Sequence, residues 1–580
     1  YMNFSLDVDI IKNMLSAKVL YGLNKENTSR DSYIPSDIYY ALQRKSRGNL
    51  GYGKRQQSTL EGTLTFQHKF GELLDMNLMA GMGRYLDSGD GSDISYENAN
   101  DHIQGSSVGM ADGPFYPTSY KYKNEKRSQF VRGSFDLFGR YVVSASLRRD
   151  GTDKFFPSKK YALFPSVSLA WKMNEESFIK NISWINMLKL RASYGETGSD
   201  NLGTTLYGIV TTTREDVQFN NNSVTYIPYI LSGANYEDVT WQKTVMKNIG
   251  LDFSIFRDRI WGSVDVFRND VTHLLGTAPT ELLGMHGTRP INGGHYKRTG
   301  VDVSLNSLNL QTHDFKWTSQ ITMSHYNAVW IERMPNYDYQ KYQKRKNEPM
   351  NAFYYYKTTG IIDVDKSNMP ESQRSLGPAA CMPGYPIVED KNGDGIIDVN
   401  DSYMDNMLPK LYFGFGNTFT WKNFDLDIFM YGQLGVKKWN DAYSYSADAG
   451  NLSRGVDAHN VGIYSYNIWN TQTNTNGHFP GIAISKSVAL PENLGFDYTR
   501  ENASYIRVRN ITLGYNLGPK ELSVFKGYIR GIRVFVDFQN PLTFTKYKGY
   551  DPEINTSSSN LTGGQYPQMR VYSIGAKLTF

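Results

Sequence analysis

The chain has 580 residues, of which 40% are apolar and 21% charged, and its net charge is +5. No stretch approaches the roughly 18 consecutive apolar residues of a membrane-spanning helix, and no basic run indicates a nucleic-acid partner. The single cysteine, Cys381, excludes a disulfide within the chain. Aromatic residues reach 14%, with 42 tyrosines, a content typical of proteins with aromatic belts at two membrane interfaces.

Two-faced strands recur along the chain, with apolar side chains on one face and polar ones on the other. In the stretch 188–194, for example, Leu188 and Leu190 alternate with Lys189 and Arg191. A soluble sandwich also alternates, but it needs a closed apolar interior. Charges confined to one face of so many strands favour an all-β transmembrane barrel, in which one face meets lipid and the other a polar lumen. The same pattern occurs in 141–148, 249–255, 532–539 and 571–580.

Two strands depart from strict alternation. Phe535 is an apolar residue on the polar face of its strand. Farther upstream, Ile506 and Val508 are in phase with each other, whereas Ile511 and Leu513 are one step off. A β-bulge near Asn510 would return these side chains to a common face.

The pattern predicts about 17 antiparallel strands, starting near residues 1, 15, 58, 74, 127, 141, 161, 187, 244, 260, 299, 315, 411, 424, 503, 531 and 570. Tight hairpins at 139–140, 257–259 and 422–423 alternate with long polar connections. This alternation predicts short periplasmic turns and long extracellular loops. The expected long loops are about 84–126, 196–243, 270–298, 328–410, 435–502 and 541–569. Because bacterial single-chain barrels have an even strand number, we expect 1–580 to be the C-terminal part of a larger barrel.

A calcium-loop spacing stands out in residues 390–401. Side-chain oxygens occur at positions 1, 3 and 5, glycine at position 6 and a carboxylate at position 12, where the shorter Asp replaces the usual Glu. The alternative interpretation is an Asp- and Asn-rich turn held by its own side-chain hydrogen bonds. The predicted calcium ligands are Asp390, Asn392, Asp394, the carbonyl of Ile396, Asp398 through water, and Asp401.

The other candidate residues give weaker indications of function. The aromatic run Phe353–Tyr356 is suited to stacking on sugar rings or packing on a partner protein. The alternative interpretation is that these aromatics anchor their loop to the barrel rim. Asp425 and Asp427 are neighbours along one strand, whereas glycoside hydrolysis needs two carboxyls that converge on one bond. No nucleophile elbow, zinc helix or phosphate loop occurs. We therefore expect no enzymatic activity, no catalytic residue and no organic cofactor.

Several stretches together resemble the SusC/RagA-type TonB-dependent transporters of the Bacteroidota outer membrane. The resemblance covers nearly all of the chain from about residue 120 onward. The stretches are YVVSASLRRDG (141–151), FPSVSLAW (164–171), LKLRASYG (188–195), NIGLDF (248–253), RTGVDVSL (298–305), RNITLGY (509–515) and KYKGYDPE (546–553).

The resemblance implies a barrel of about 22 strands, about five of them outside this chain, filled by a plug that is also absent here. It implies a SusD/RagB-type surface lipoprotein as a lid, contacted chiefly by the 328–410 and 435–502 loops, and a TonB complex acting through the plug. The implied function is import of an oligomeric nutrient, a glycan or an oligopeptide, across the outer membrane. Two alternatives stay open: a passive porin or surface adhesin without energy coupling, and a soluble carbohydrate-binding β-protein.

Overall fold

The computed structural model describes most of the chain. The described residues are 1–36, 46–98, 108–202, 212–214, 219–221, 224–226, 229–231, 237–279, 288–335, 337, 339–344, 347–439, 467–477, 479–481, 490–518, 521–522, 524, 528–549, 551–554 and 567–580. Within these ranges, no helix has the length and apolar character needed to cross a membrane. The one α-helix among them, α1, spans Ser177–Lys180.

One sheet of 17 strands dominates the fold, and its strand number agrees with the sequence prediction. In chain order its strands are β1 (Met2–Ile11), β2 (Leu15–Ile34), β3 (Arg47–Phe70), β4 (Leu74–Glu97), β5 (Phe115–Leu137), β6 (Tyr141–Thr152), β7 (Tyr161–Lys172), β8 (Ile185–Ser199), β9 (Gln242–Ile255), β10 (Ile260–Pro279), β11 (Thr288–Gln311), β12 (Phe315–Glu332), β13 (Leu411–Trp421), β14 (Phe424–Leu434), β15 (Tyr505–Leu517), β16 (Gly531–Thr545) and β17 (Val571–Thr579).

Each strand of this sheet pairs antiparallel with the next one along the chain, from β1 to β17. Such an up-and-down order lets every interior strand satisfy its backbone hydrogen bonds within the sheet, which the hydrocarbon core of a bilayer demands. Among the described pairings, β1 and β17 each have one neighbour and are not joined to each other.

Short elements lie in the connections. Three pairs of short strands are Thr212–Arg214 with Tyr229–Leu231, Phe219–Asn221 with Val224–Tyr226, and Lys437–Trp439 with Arg500–Asn502. The 3₁₀ helices are Val108–Met110, Pro157–Lys159, Met173–Glu175, Lys341–Lys344, Glu371–Leu376, Pro378–Cys381, Val399–Asp401, Pro491–Asn493 and Asp497–Thr499.

The two faces of the sheet differ as the alternation predicts. On one face, Ile249, Val266 and Val301 stand directly opposite one another across β9, β10 and β11, and all three are exposed. On the other face, Arg191 of β8 forms ion pairs with Asp252 at 2.6 Å and with Asp265 at 3.2 Å. Apolar side chains are thus presented outward while charges are neutralised on the opposite wall, the distribution that a lipid-embedded barrel requires.

Phe535, the exception to the alternation, packs over a glycine of the neighbouring strand. Gly575 stands directly opposite Phe535, and a Cβ added to Gly575 would lie 2.5 Å from the ring. The opposed pairs Phe130 with Gly81 and Phe267 with Gly300 repeat the arrangement. An aromatic ring that covers a glycine shields its backbone and fills the missing side-chain volume. These rings therefore stabilise the polar wall without needing an apolar interior.

The predicted bulge is present at Arg509. Phe429 of β14 pairs with Asn510 of β15, whereas the next residue, Met430, pairs with Val508. One residue of β15 is therefore extra. The bulge returns Ile511 and Leu513 to the apolar face, as the phase change in the sequence predicts.

Several strands extend farther than the hydrophobic pattern indicates. β3 begins at residue 47 instead of about 58, and β4 and β5 reach far into the segment 84–126 expected as loop. Similarly, β10 and β11 occupy most of 270–298. The reason is chemical: above the lipid band both faces meet water, so the outward side chains become polar, as at Arg84 and Glu125, and the alternation disappears. Much of the predicted loops 196–243, 435–502 and 541–569 lies outside the described residues.

Candidate functional site

The connection between β12 and β13 folds into a small body of its own, which we call the loop body (residues 347–410 with 490–499). Its first sheet joins Ala352–Tyr356 to Tyr403–Asn406 in antiparallel fashion and to Gly495–Phe496 in parallel. Its second sheet joins Thr358–Ile361 to Pro386–Val388. Since 495–496 belongs to the next long connection, the sheet unites two loops through strands that lie about 90 residues apart in the chain.

Two apolar clusters support the loop body. Tyr356, fully buried, centres the first, and its hydroxyl donates to the carbonyl of Asp398 at 3.0 Å. Ile362, also fully buried, centres the second. A surface excursion with such clusters orders itself by burying side chains, which offsets part of the chain entropy. The clusters consist of Tyr356, Val388, Ile397 and Leu490, and of Ile362, Ala380, Tyr385 and Ile387.

The aromatic run 353–356 packs within this body. Tyr354 and Tyr355 are each 8% exposed and Tyr356 is 0% exposed. The ring of Tyr355 lies 5.9 Å from that of Tyr403, centroid to centroid, and burial raises the pKa of Tyr355 to about 12. These rings hold the loop together, which agrees with an anchoring role more than with stacking on a ligand.

Buried Gln373 links the segments of the loop body. Its amide nitrogen donates to the carbonyls of Ala380 at 3.0 Å and Pro386 at 3.1 Å, and its amide oxygen accepts from the backbone N–H of Val388 at 3.0 Å. With these bonds the fully buried amide satisfies the demand for partners inside a core. Sequence reasoning missed Gln373 because no local pattern marks a polar residue whose partners come from a later strand.

Arg500 joins the loop body to the barrel rim. Its side chain is 3% exposed, lies 3.5 Å from the carboxylate of Asp405, and stands over the ring of Phe353 at 4.1 Å. Lys437 pairs with the same carboxylate at 3.0 Å. Burial lowers the pKa of Arg500, yet a guanidinium stays charged at any physiological pH. The contacts therefore fix the base of the two loops electrostatically.

A second buried arginine, Arg507, holds the segment after β16 against the barrel wall. Its guanidinium contacts Asp551 at 2.7 Å and Glu553 at 2.7 Å, while Nε donates to Thr543 at 3.0 Å. The hydroxyl of Tyr431 on β14 also donates to Glu553, at 2.7 Å. The arginine and Asp551 are 2% and 5% exposed, so the pair is desolvated, and each nitrogen of the guanidinium donates a hydrogen bond. We call this set the Arg507 network.

The sequence contains the parts of this network but not their pairing. Asp551 and Glu553 lie in the stretch 546–553 that carries the family resemblance. Arg507 is a wet-face residue about 45 positions earlier in the chain. Only the return of the 551–554 segment over β15 brings the three charges together.

The predicted calcium segment 390–401 lies at the surface of the loop body. The two carboxylate oxygens of Asp390 accept from the N–H groups of Gly393 at 2.8 Å and Gly395 at 2.9 Å. Asp401 is fully buried and accepts from the N–H groups of Lys391 at 2.9 Å and Asp398 at 2.8 Å. These bonds are the self-stabilised turn of the alternative interpretation.

Within the described ranges, no group of three or more His, Cys, Asp or Glu side chains has a metal-holding arrangement. Calcium binding by Asp390, Asn392, Asp394, Ile396, Asp398 and Asp401 therefore stays a prediction. The paired carboxylates on β14 each have a structural partner: Asp425 pairs with Arg533 at 2.5 Å, and Asp427 accepts from the Thr418 hydroxyl at 2.5 Å.

The comparisons with known proteins agree with this geometry. The chain matches the family model described as TonB dependent receptor-like, beta-barrel, over residues 3–540. It is similar to TonB-dependent receptor P3 of Formosa agariphila, with 27% identity over 98% of this chain and 56% of that protein. It is also similar to TonB-dependent receptor SusC of Bacteroides thetaiotaomicron, with 27% identity over 80% of this chain and 44% of that protein. The chain thus spans about half the length of these curated relatives.

Solved structures show the same fold. All of this chain superposes on 61% of a chain in the structure of the RagAB peptide transporter, with a TM-score of 0.79 and 21% identity. The RagAB peptide importer in its closed-closed state gives a TM-score of 0.76 with the same coverage.

Proposed function

The chain belongs to the TonB-dependent receptor-like β-barrel family, and on this basis we propose that the whole protein imports an oligomeric nutrient with energy from a TonB complex. The family assignment confirms the resemblance noted in the sequence, the outer-membrane location and the absence of an enzymatic role. It disfavours the soluble carbohydrate-binding alternative. The substrate class, a glycan or an oligopeptide, belongs to the proposal.

The observation that carries the proposal is the combination of a polar inner wall with a folded body above it. The inner wall neutralises its charges pairwise, as Arg191 does with Asp252 and Asp265, so it stays wet and can pass polar cargo. The loop body is built around its own apolar clusters. A passive porin or adhesin, the second candidate, needs the wall but not energy coupling. We further propose a complete barrel of about 22 strands, closed by strands outside this chain.

Energy coupling separates these two functions. If import is active, uptake of a labelled oligosaccharide or oligopeptide by cells that carry the complete gene should stop when a protonophore collapses the membrane potential. A porin would continue to equilibrate the same probe. Testing both probe classes in the same cells also identifies the substrate class, because the class that accumulates is the cargo.

We propose that a SusD/RagB-type lipoprotein covers the loop body. Several large apolar side chains of the body remain exposed in the chain alone, among them Val364 at 53%, Met382 at 49% and Ile396 at 58%. Exposed apolar side chains on an otherwise well-packed body favour a protein partner. A solved structure with this fold is named the RagAB peptide importer, and the SusD/RagB-type partner that the sequence resemblance implies is the one we propose for this chain.

We predict that Val364→Asp combined with Ile396→Asp lowers co-purification of the lipoprotein in mild detergent by at least tenfold, because each carboxylate must be desolvated on contact. The measurement is the ratio of the two proteins after affinity purification of the complex. Val524→Asp is the matched control, since Val524 is 83% exposed and lies in the turn between β15 and β16. Equal recovery from the double variant and the control would contradict the lid contact.

We also propose that the 390–401 segment binds one calcium ion, on the strength of its ligand spacing. Asp390→Asn with Asp394→Asn keeps hydrogen-bond acceptors at both positions but removes two charges, so calcium affinity should fall at least tenfold while the turn persists. Isothermal titration with Ca²⁺ measures this, with the exposed Asp363→Asn as control. Wild-type protein that shows no calcium binding at millimolar concentration would exclude the site.

A further inference from the structure

On the outward face of strands β8 to β12, mainly apolar side chains are replaced by cationic and polar ones between two neighbouring cross-strand rows. Ala192, Ile249, Val266 and Val301 stand opposite one another in register, and His325 of β12 completes this row. Two residues farther toward the long loops, the corresponding row reads Tyr194, Lys247, Arg268, Thr299 and Asn327. A mainly apolar row is thus followed directly by a row with two cations, and both rows lie on the lipid side of the wall.

This change lies at the expected upper edge of the bilayer. From the turn at Ile255 to Lys247, β9 advances eight residues, which is about 27 Å along the strand. A tilted transmembrane strand takes about 9–11 residues to cross the hydrocarbon region. Lys247 and Arg268 therefore stand where lipid headgroups begin, on the side of the long loops.

A groove crosses the same two rows. Its volume is about 700 Å³, and its lining is mainly apolar. Leu169, Ile249 and Val266 contribute its apolar part, whereas Lys247 and Arg268 contribute its basic end. The small side chain of Ala192 between larger neighbours provides the depth. A groove with an apolar length and a basic end has the shape and polarity of a lipid with an anionic headgroup.

The charge balance around the groove is positive. On the outward face of these strands, from the basic row toward the loops, the cations Lys243, Lys247, Arg268 and Lys297 face the carboxylates Glu196 and Asp270. Arg268 uses Nε and Nη2 on Asp270, at 2.8 and 2.9 Å, which leaves Nη1 directed elsewhere. Within the described ranges, Lys247 has no ion pair. Lys247 thus offers an unneutralised cation to an anion, and Arg268 offers a further N–H donor.

We propose that this groove binds a phosphorylated lipid of the outer leaflet, with an acyl chain along Ile249 and Val266 and the phosphate held by Lys247 and Arg268. Charge complementarity and the position at the edge of the apolar band decide this occupant over a neutral lipid. The proposal requires only the membrane location of the barrel and is independent of the transported substrate.

The test is native mass spectrometry of the complete, delipidated protein titrated with monophosphoryl lipid A, with its dephosphorylated form and with inorganic phosphate. Wild-type protein should retain the phosphorylated lipid. Lys247→Gln with Arg268→Gln should weaken this binding by about twentyfold, since each cation near a membrane surface contributes a factor of about five. Ala192→Phe should weaken it as well, by filling the groove while both cations remain. The dephosphorylated lipid should bind wild type and double variant equally weakly.

Arg257→Gln with Arg259→Gln is the matched control, because it removes two cations from the opposite end of the same hairpin. Heat-modifiable mobility on gels verifies that every variant is folded. Undiminished binding to the Lys247 and Arg268 variant would overturn the proposal, and so would an equal loss in the control. Displacement of the lipid by inorganic phosphate at matching concentration would also overturn it, since the site would then recognise a free anion.

Discussion

Leu190→Arg is expected to reduce the amount of folded protein in the outer membrane severely. Leu190 lies on the apolar face of β8, opposite Trp171 of β7 and Leu251 of β9, and is 39% exposed in the chain alone. An arginine near the bilayer centre on the lipid face of a barrel costs about 2–4 kcal/mol. Urea titration of the complete protein in lipid vesicles, followed by tryptophan fluorescence, measures the loss in the free energy of unfolding.

Ser193→Arg is the matched control for this substitution. Ser193 lies on the same strand, but its side chain is on the wall of Arg191, and its cross-strand partners are Ser168 and Asn248. A cation there meets water and existing carboxylates, so we expect a change below about 1 kcal/mol. If the two variants lose equal stability, the assignment of lipid and lumen faces is wrong.

Arg507→Leu is expected to have a comparable effect through a different mechanism. Removing the guanidinium leaves the carboxylates of Asp551 and Glu553 without their cation, and Asp551 is 5% exposed. Breaking a buried pair by deleting one partner costs about 3–5 kcal/mol, because the remaining charge is desolvated and uncompensated. The 551–554 segment should detach from β15 and become sensitive to limited proteolysis from outside the cell.

A compensating variant tests this mechanism. Adding Asp551→Asn and Glu553→Gln to Arg507→Leu removes the stranded charges and should recover more than half of the lost stability. Arg509→Leu serves as control, since Arg509 is the exposed bulge residue two positions away. If the added amides give no recovery, or the control is equally sensitive to protease, the effect does not arise from the Arg507 network.

The alternation of residues was sufficient to predict the structure wherever contact with lipid requires an apolar side chain at every second position. The alternation of Leu188 and Leu190 with Lys189 and Arg191 predicts both faces of β8, and the structure places them so. The phase change between Val508 and Ile511 likewise predicts the bulge, because only an inserted residue can return both to the lipid side. The strand number followed from counting such segments.

The same alternation was insufficient to predict the ends of the strands where they leave the membrane. The upper part of β4, up to Glu97, carries polar groups on both faces. Its pairing with β5 is sustained by backbone hydrogen bonds and by the rings of Tyr120 and Tyr122, which cover glycines of β4. Arg84 and Glu125 form an ion pair at 2.9 Å across these strands, but charged residues of this kind are equally typical of loops. The distance that these strands extend above the membrane therefore could not be predicted from the hydrophobic period.

By itself, the sequence determined the class of fold and its membrane location, because contact with lipid constrains every strand in the same local way, and its resemblance to known stretches indicated the family. Tertiary structure alone decided the partners of the charged and polar groups. Arg507 meets Asp551 only after the connection that follows β16 returns over the barrel, and Gln373 meets Val388 only after the loop body folds back on itself. Such contacts depend on chain reversal in three dimensions, and neither residue spacing nor periodicity specifies where a long loop returns.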